Sequence, residues 1–335
     1  MKVYRLHDFS GPDGWKLGDE PSPTPGPGEV LVRVAAASIN FRDLMISKGI
    51  YNPKMRLPRI PLSDAAGEVV ANGPGAVRFE PGTRVSANFM ARWVDGPLDD
   101  EKSASALGGE LEGVLAEEVV LPECSLVKIP DSLSFEEAAT LPCAAVTAWH
   151  GLFETGGLEP GSTVLTLGTG GVSVFAAQFA RHAGMRVIAT SSSDAKLERI
   201  RSLGASETVN YKTEPDWEKP VRDLTDGRGV DLVVEVGGSG TLPKSVRAVR
   251  TGGTIALIGV LTGAGQFDPT PILMRGIRLQ GVFVGSRAMY EAMNRAIVAH
   301  GIKPVVDQVF AFDQAPDALR LMAGASHFGK IVIKV

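Results

Sequence analysis

The stretch Thr163-Val164-Leu165-Thr166-Leu167-Gly168-Thr169-Gly170-Gly171-Val172-Ser173 constrains this chain more than any other. A short β-branched and aliphatic run leads into a glycine turn, and Val174 to Ala180 then reads as a helix. Strand, glycine turn and helix start together make a site for a dinucleotide pyrophosphate. The first N–H groups of a helix have no partner of their own, and the helix dipole favours an anion there. The glycines serve the tight turn, the close approach of backbone to pyrophosphate and the packing of helix on strand. The plain alternative is a turn that only links a strand to a helix.

An NAD-specific site usually carries Asp or Glu about 20 residues further on, at the end of the second strand, to bind the ribose 2′-hydroxyl. Here the stretch is Thr190-Ser191-Ser192-Ser193, with no carboxylate before Asp194 and with Lys196 just beyond. Hydroxyls can donate to a 2′-phosphate that a carboxylate would repel, and a lysine adds a point charge. Ser191, Ser192 and Lys196 therefore favour NADP(H) over NAD. A solvated loop with a helix-capping serine is compatible with the same residues.

Alternating strands and helices surround this turn. Strands are expected at 163–167, 186–190, 207–211, 231–236, 253–258 and 279–284, with a helix over 195–203 closed by Gly204. Such a series implies a doubly wound parallel sheet. The first 130 or so residues differ. They hold short strand candidates at 29–37, 66–71 and 84–87 between Pro/Gly turns, which suggests a small barrel-like β domain. Residues 88–113 read as a long excursion loop, of a length that is usually functional or mobile. A helix over 288–299 and a terminal strand over 330–335 close the chain, and that strand could return to the first domain.

A chain of 335 residues exceeds the usual size of a single core, so two domains are expected. The net charge is −4 with no basic run, which argues against a nucleic-acid partner. No apolar run reaches the roughly 18 residues of a membrane span, and the polar start does not resemble a signal peptide. Cys124 and Cys143 are the only cysteines, so no disulfide framework is expected and a reducing cytoplasm fits. None of His7, His150, His182, His300 and His327 has metal-ligand spacing, and each is expected to be structural or exposed.

Several stretches stand together along the chain: Ser38-Ile39-Asn40-Phe41-Arg42-Asp43, Ser47-Lys48-Gly49-Ile50-Tyr51, Glu80-Pro81-Gly82-Thr83-Arg84-Val85, Ala138-Ala139-Thr140-Leu141-Pro142-Cys143, the 168–173 turn, Leu203-Gly204-Ala205, Asn210-Tyr211 and Phe328-Gly329-Lys330. On these residues the chain resembles the medium-chain dehydrogenase/reductase superfamily, in its zinc-independent, quinone oxidoreductase-like branch. The resemblance implies an α/β fold: a Rossmann doubly wound parallel sheet over 144–285, plus a β-rich GroES-like catalytic domain from 1–143 and 286–335, with the site in the cleft.

The zinc-dependent members bind their catalytic metal with a Cys, a His-Glu pair and a second Cys. Asn40 and Ser63-Asp64 stand at the first two places, and only Cys143 remains, so no zinc is expected. Cys143 is then a small buried thiol or a reactive one. By resemblance, Asn40 and Tyr51 line the nicotinamide and substrate site, with Tyr51 a proton donor or a packing ring. Ser63 and Asp64 are placed to hydrogen-bond substrate or water. Thr147 would contact nicotinamide, and Lys196 and Tyr211 would hold the 2′-phosphate. Gly259, Val260, Phe283, Val284 and Gly285 border the nicotinamide side. Lys330 is a terminal cofactor contact or a surface charge. The segment 279–284 would pair across a homodimer.

Without a Lewis acid, reversible alcohol oxidation loses its usual electrophile, whereas a quinone or α,β-unsaturated carbonyl already delocalises charge. The expected activity is NADPH-dependent reduction of such an acceptor. The alternatives are an alcohol or aldehyde dehydrogenase and a catalytically silent NADPH sensor.

Overall fold

The computed structural model describes residues 1–335 except Val260 and Ala264. The chain divides into two compact units, Met1–Val146 with Gly285–Val335, and Thr147–Val284.

In the first unit β1 (Lys2–Leu6) pairs antiparallel with β2 (Trp15–Asp19). A seven-stranded sheet holds β3 (Glu29–Ile39), β4 (Asp64–Asn72), β5 (Arg84–Ala87), β6 (Glu118–Pro122), β7 (Leu126–Lys128), and the later strands β14 (Val306–Ala311) and β15 (Lys330–Lys334). Its centre is β3, whose alternating Val30, Val32 and Val34 are buried. Three strands pair antiparallel with it: β4, β6 and the returning β15. Helix α1 (Phe41–Ser47) starts directly where β3 ends.

The 88–113 stretch is a packed structure rather than an open loop. Phe89, Met90, Trp93, Ala106 and Leu107 are buried, and Met90 and Ala106 form a β-bridge. A single helical turn, Asp100–Ser103, is capped by the Asp99 carboxylate. The stretch also meets a later helix, because Trp93 O accepts from Arg287 N at 2.9 Å. Two aromatic rings and several aliphatic side chains supply enough apolar area to fix it.

The second unit is a six-stranded parallel sheet. Its strands are β8 (Thr163–Leu167), β9 (Arg186–Ser191), β10 (Glu207–Asn210), β11 (Val230–Glu235), β12 (Val249–Leu257) and β13 (Arg278–Gly281), in the order β10-β9-β8-β11-β12-β13. Every residue of β8 and of β11 is buried, as in a sheet covered on both faces. The order reverses around β8, and doubly wound sheets bind ligands at the carboxyl ends of strands at such a switch point. Helix α2 (Gly171–His182) follows β8, and α3 (Asp194–Leu203) follows β9. The last strand is shorter than the expected 279–284. It ends at Gly281, all four of its residues are exposed, and it lies at the sheet edge. Val284 lies beyond it, buried at φ 56°, a left-handed conformation uncommon for a β-branched residue.

Candidate functional site

The second unit carries the glycine turn. Gly168 has φ +73°, so the chain reverses at the end of β8 in a conformation that favours glycine. Gly170 is the N-cap of α2 and makes no side-chain cap. The first N–H groups of that helix therefore lack the side-chain acceptor that Ser, Thr, Asp or Asn usually supplies. A Cβ built at Gly168 or Gly170 meets nothing within 4 Å, so the space over the turn is open. Uncapped donors facing open space fit a pyrophosphate. Ser173 does not face that space, because its hydroxyl donates back to Leu167 O at 2.7 Å. Thr169 is buried, whereas Gly171 and Val172 are partly exposed. Thr190, which motif reading passed over, accepts from Gly168 N at 3.4 Å through its hydroxyl.

The residues expected at a 2′-phosphate come from neighbouring strands. Ser191 is buried at the end of β9, and its carbonyl accepts from Tyr211 N at 3.0 Å. Ser192 is half-buried, Ser193 caps α3 through Lys196 N, and the Tyr211 ring is exposed. The capping reading of these serines thus holds for Ser193, and Ser191 and Tyr211 adjoin it.

Elsewhere in this unit Thr147 is buried. Gly259 N donates to Glu235 O at 3.1 Å, while Val260 lies outside the described residues. Phe283 is half-buried. The carbonyl of the left-handed Val284 meets His150 Nδ1 at 2.7 Å, so His150 holds this segment. Glu235, fully buried, accepts from Gly237 N, Gly238 N, the Thr241 hydroxyl and the Ser245 hydroxyl, which orders the turn after β11.

The first unit gathers a polar cluster where β3 ends. Register explains it: Ile331 of β15 lies opposite Ile39 on one side, and Asp64 of β4 lies opposite Ser38 on the other. Lys330 and Asp64 are therefore brought to Asn40 from either side. Lys330 is 3% exposed, so it is not a surface charge. Its ammonium donates to Ile39 O at 2.8 Å and to Asn40 Oδ1 at 2.5 Å, and it lies 3.8 Å from Asp64 Oδ2. Ser63 donates to Asp64 Oδ1 at 2.7 Å, and Cys143 N donates to Asp64 Oδ2 at 3.2 Å. Ser63 and Asp64 are fully buried, so both are committed inside the cluster. Leu62, just before them, has φ 70°. Asn40 Nδ2 is buried with no hydrogen-bond partner, a state that costs about 1–3 kcal/mol unless a ligand relieves it. Gly285, assigned above to the nicotinamide side, belongs to this unit, and its carbonyl accepts from Asn88 Nδ2 at 3.5 Å.

Asp43 returns to accept from Asn40 N at 2.7 Å, a positioning role rather than an acid–base one. Burial raises its carboxyl to about 6, with the Asp64 charge adding and Arg42 and the Asn40 N–H opposing. Burial, then the Asp64 carboxylate, also push the Cys143 thiol up, which disfavours the thiolate. On sequence alone Arg42 is only a candidate partner for Asp43. Its guanidinium donates to Leu107 O at 2.7 Å and lies over the Phe89 ring at 4.5 Å and the Tyr51 ring at 5.4 Å. Gly109 makes room for it, since a Cβ there would lie 2.5 Å from Arg42 Nη2. Residues of the 88–113 stretch thus fix the arginine that flanks Tyr51. Burial raises the Tyr51 hydroxyl above its ordinary value, against the pull of Arg42.

The chemistry of these residues does not match the usual zinc ligands. Asn40 and Ser63 are poor ligands, a single thiol remains, and an ammonium occupies the cluster. Among the described residues no three His, Cys, Asp or Glu gather to hold a metal.

Family models match both units: an alcohol dehydrogenase GroES-like domain over residues 26–131 and a zinc-binding dehydrogenase over 171–299. A zinc-type alcohol dehydrogenase-like protein of Schizosaccharomyces pombe is 46% identical, over 99% of both chains. The chain belongs to the medium-chain dehydrogenase/reductase superfamily, in its quinone oxidoreductase-like branch. A 2-haloacrylate reductase of a Burkholderia species is 30% identical over 98% of this chain and 97% of its own. Among solved structures, an NAD-dependent alcohol dehydrogenase superposes with a TM-score of 0.92 at 37% identity, covering 100% of both chains. A quinone oxidoreductase of Pseudomonas syringae superposes with 0.86 at 27%, covering 100% of this chain and 99% of the other. The chain is therefore an oxidoreductase of a superfamily that uses NAD(P), with a Rossmann-like parallel sheet and a GroES-like domain. No helix among the described residues is long and apolar enough to cross a membrane.

Proposed function

We propose that this chain is an NADPH-dependent reductase acting without a metal on a quinone or an α,β-unsaturated carbonyl. The observation that carries the reading is the ammonium of Lys330 among Asn40, Asp64 and Cys143, the places where zinc-dependent relatives keep their ligands. A buried cation there opposes a second, divalent one. An acceptor that delocalises charge by itself has less need of a Lewis acid.

The turn at 168–172 and the start of α2 hold the pyrophosphate, and Ser191, Ser192, Lys196 and Tyr211 favour the 2′-phosphate. When bound, the reduced nicotinamide supplies the hydride. Thr147, Gly259, Phe283 and Val284 would line the nicotinamide, with His150 steadying Val284. Asn40 Nδ2 is the donor for a carbonyl oxygen. Tyr51, protonated at neutral pH, supplies or relays the proton that completes reduction. Ser63, Asp64 and Asp43 keep Asn40 in place. Absence of a disulfide framework fits the cytoplasm, and the exposed edge strand β13 fits pairing in a homodimer.

A second reading, alcohol dehydrogenation with NAD, is favoured by the name and 37% identity of the solved alcohol dehydrogenase. Steady-state assays of the purified protein decide between them, with NADPH or NADH against enones, a 2-haloacrylate and quinones, and with NAD or NADP against primary and secondary alcohols. Turnover of enones or quinones with NADPH is expected. Turnover of alcohols alone refutes the reductase reading, and NADPH binding without turnover of any acceptor favours a silent sensor.

A further inference from the structure

We infer that Lys330 is a positioning residue: its buried ammonium fixes the rotation of the Asn40 carboxamide, so that Nδ2 is presented to a carbonyl oxygen. This rests on the reductase reading above and replaces the idea that Lys330 touches the cofactor itself.

An asparagine amide can turn over and exchange its oxygen and nitrogen, and its neighbours choose between the two states. Around Asn40 the choice is unambiguous. An ammonium donates only, so the group 2.5 Å from Lys330 Nζ must be the amide oxygen. The flipped state would set two donors against each other in a buried site. The main chain that carries the amide is fixed as well, because Asn40 N is tied to Asp43. Nδ2 is then the end left over, and it is buried without a partner.

Lys330 itself has little left to offer a ligand. Its N–H groups serve Ile39 O and Asn40 Oδ1, and its remaining side faces Asp64. The Asp64 carboxylate balances its charge and is itself held by Ser63 and Cys143 N. The lysine therefore acts through Asn40. It also occupies the acceptors a divalent ion would need, which gives the same atom two consequences: a set amide and a disfavoured metal.

Two carbonyl oxygens could meet Nδ2, that of the nicotinamide carboxamide and that of the substrate. The test is a double-mutant cycle of Lys330→Met and Asn40→Ala, read by kcat/KM for an enone, by NADPH affinity from fluorescence titration and by Tm. Each single variant is expected to lose about 10-fold or more in one of the two functional readouts. The double variant should lose no more than Asn40→Ala alone, to within about 2-fold. A rise in the NADPH Kd identifies the nicotinamide carboxamide, and an unchanged Kd with reduced kcat/KM identifies the substrate. Losses that multiply in the double variant, or full function in a folded Lys330→Met protein, overturn the proposal.

If the unpaired Asp64 prevents folding of Lys330→Met, the neutral pair Asp64→Asn/Lys330→Met replaces it in the cycle. If that also fails, Asn40→Asp keeps an oxygen for Lys330 but removes the donor. It should fold and lose function as Asn40→Ala does, and retained function overturns the proposal. If the wild-type protein reduces no acceptor, the reductase reading fails, while NADPH titration of the same variants still reads the coupling of Lys330 to Asn40.

Discussion

The glycine turn of the second unit and the lysine cluster of the first both present hydrogen-bond donors, but they are built by opposite routes. In the turn the donors are backbone N–H groups, set by the left-handed Gly168 and the uncapped start of α2. Almost everything needed lies within a few residues. In the cluster the donors and acceptors are mostly side chains, from Asn40, Ser63, Asp64 and Lys330, joined by the main-chain N–H of Cys143. Lys330 and Asn40 are 290 positions apart and meet only because β15 returns beside β3. A backbone site tolerates changes in side chains around it and fails when its conformation is lost. A side-chain site tolerates local backbone change and fails when one partner is removed.

The largest effect should come from breaking the backbone site. Gly168→Val places a β-branched residue at φ +73° and is expected to weaken NADPH binding about 100-fold by titration. Near-native affinity would mean that the turn does not hold the pyrophosphate.

Next is the sheet that supports that turn. Asp231 binds Arg228 at 2.7 Å, Arg250 at 2.6 Å and Thr163 N at 2.8 Å. Burial opposes its charge, but these partners prevail and hold the carboxyl at about 2, below its ordinary 3.8. The folded pKa is depressed, so the stabilisation is present above about pH 4 and is lost as pH falls toward 2. Asp231→Asn should cost about 2 kcal/mol at pH 7 in denaturant unfolding, with the difference from wild type shrinking in acid.

Cofactor choice is a finer probe of the same unit. Lys196→Ala should raise the Kd for NADPH about 10-fold and leave that for NADH within about 2-fold. Equal effects on both would remove Lys196 from the phosphate site.

The smallest effect sharpens the other side of the comparison. Burial raises the Asp43 carboxyl to about 6, so between about pH 4 and 6 the folded chain holds that proton more tightly than the unfolded one. Stability from this group is complete below pH 4 and lost as pH rises through 6. Asp43→Asn can still accept from Asn40 N, so it should flatten the fall of unfolding free energy with pH across that window, by up to about 1.4 kcal/mol per pH unit. An unchanged slope would mean that burial does not raise the Asp43 carboxyl above its unfolded value.

The parallel-sheet strands were legible because each is a short apolar run bounded by turn residues, and β8 was read to the residue. The last was read too long. Apolar Val282, Phe283 and Val284 look like strand, but the backbone leaves the sheet at Gly281 and turns left-handed at Val284. Residues 88–113 read as a loop because their apolar side chains follow no period, yet burial of Phe89, Trp93 and Leu107 fixes them. Arg42 and His150 gave no local signal of these roles. Each acts through a main-chain carbonyl distant in sequence, Leu107 O and Val284 O, and no spacing rule reports such a partner.

By itself the sequence determined the α/β class, the glycine turn between β8 and α2 and the replacement of the usual zinc ligands by Asn40 and Ser63, because periodicity, glycine conformation and ligand chemistry are properties of residues close together or of single side chains. Only the tertiary structure decided what Lys330 does. Read alone it was a surface charge or a cofactor contact. The pairing of β15 with β3 removes it from water, and a buried ammonium must find acceptors, which here are Ile39 O, Asn40 and Asp64.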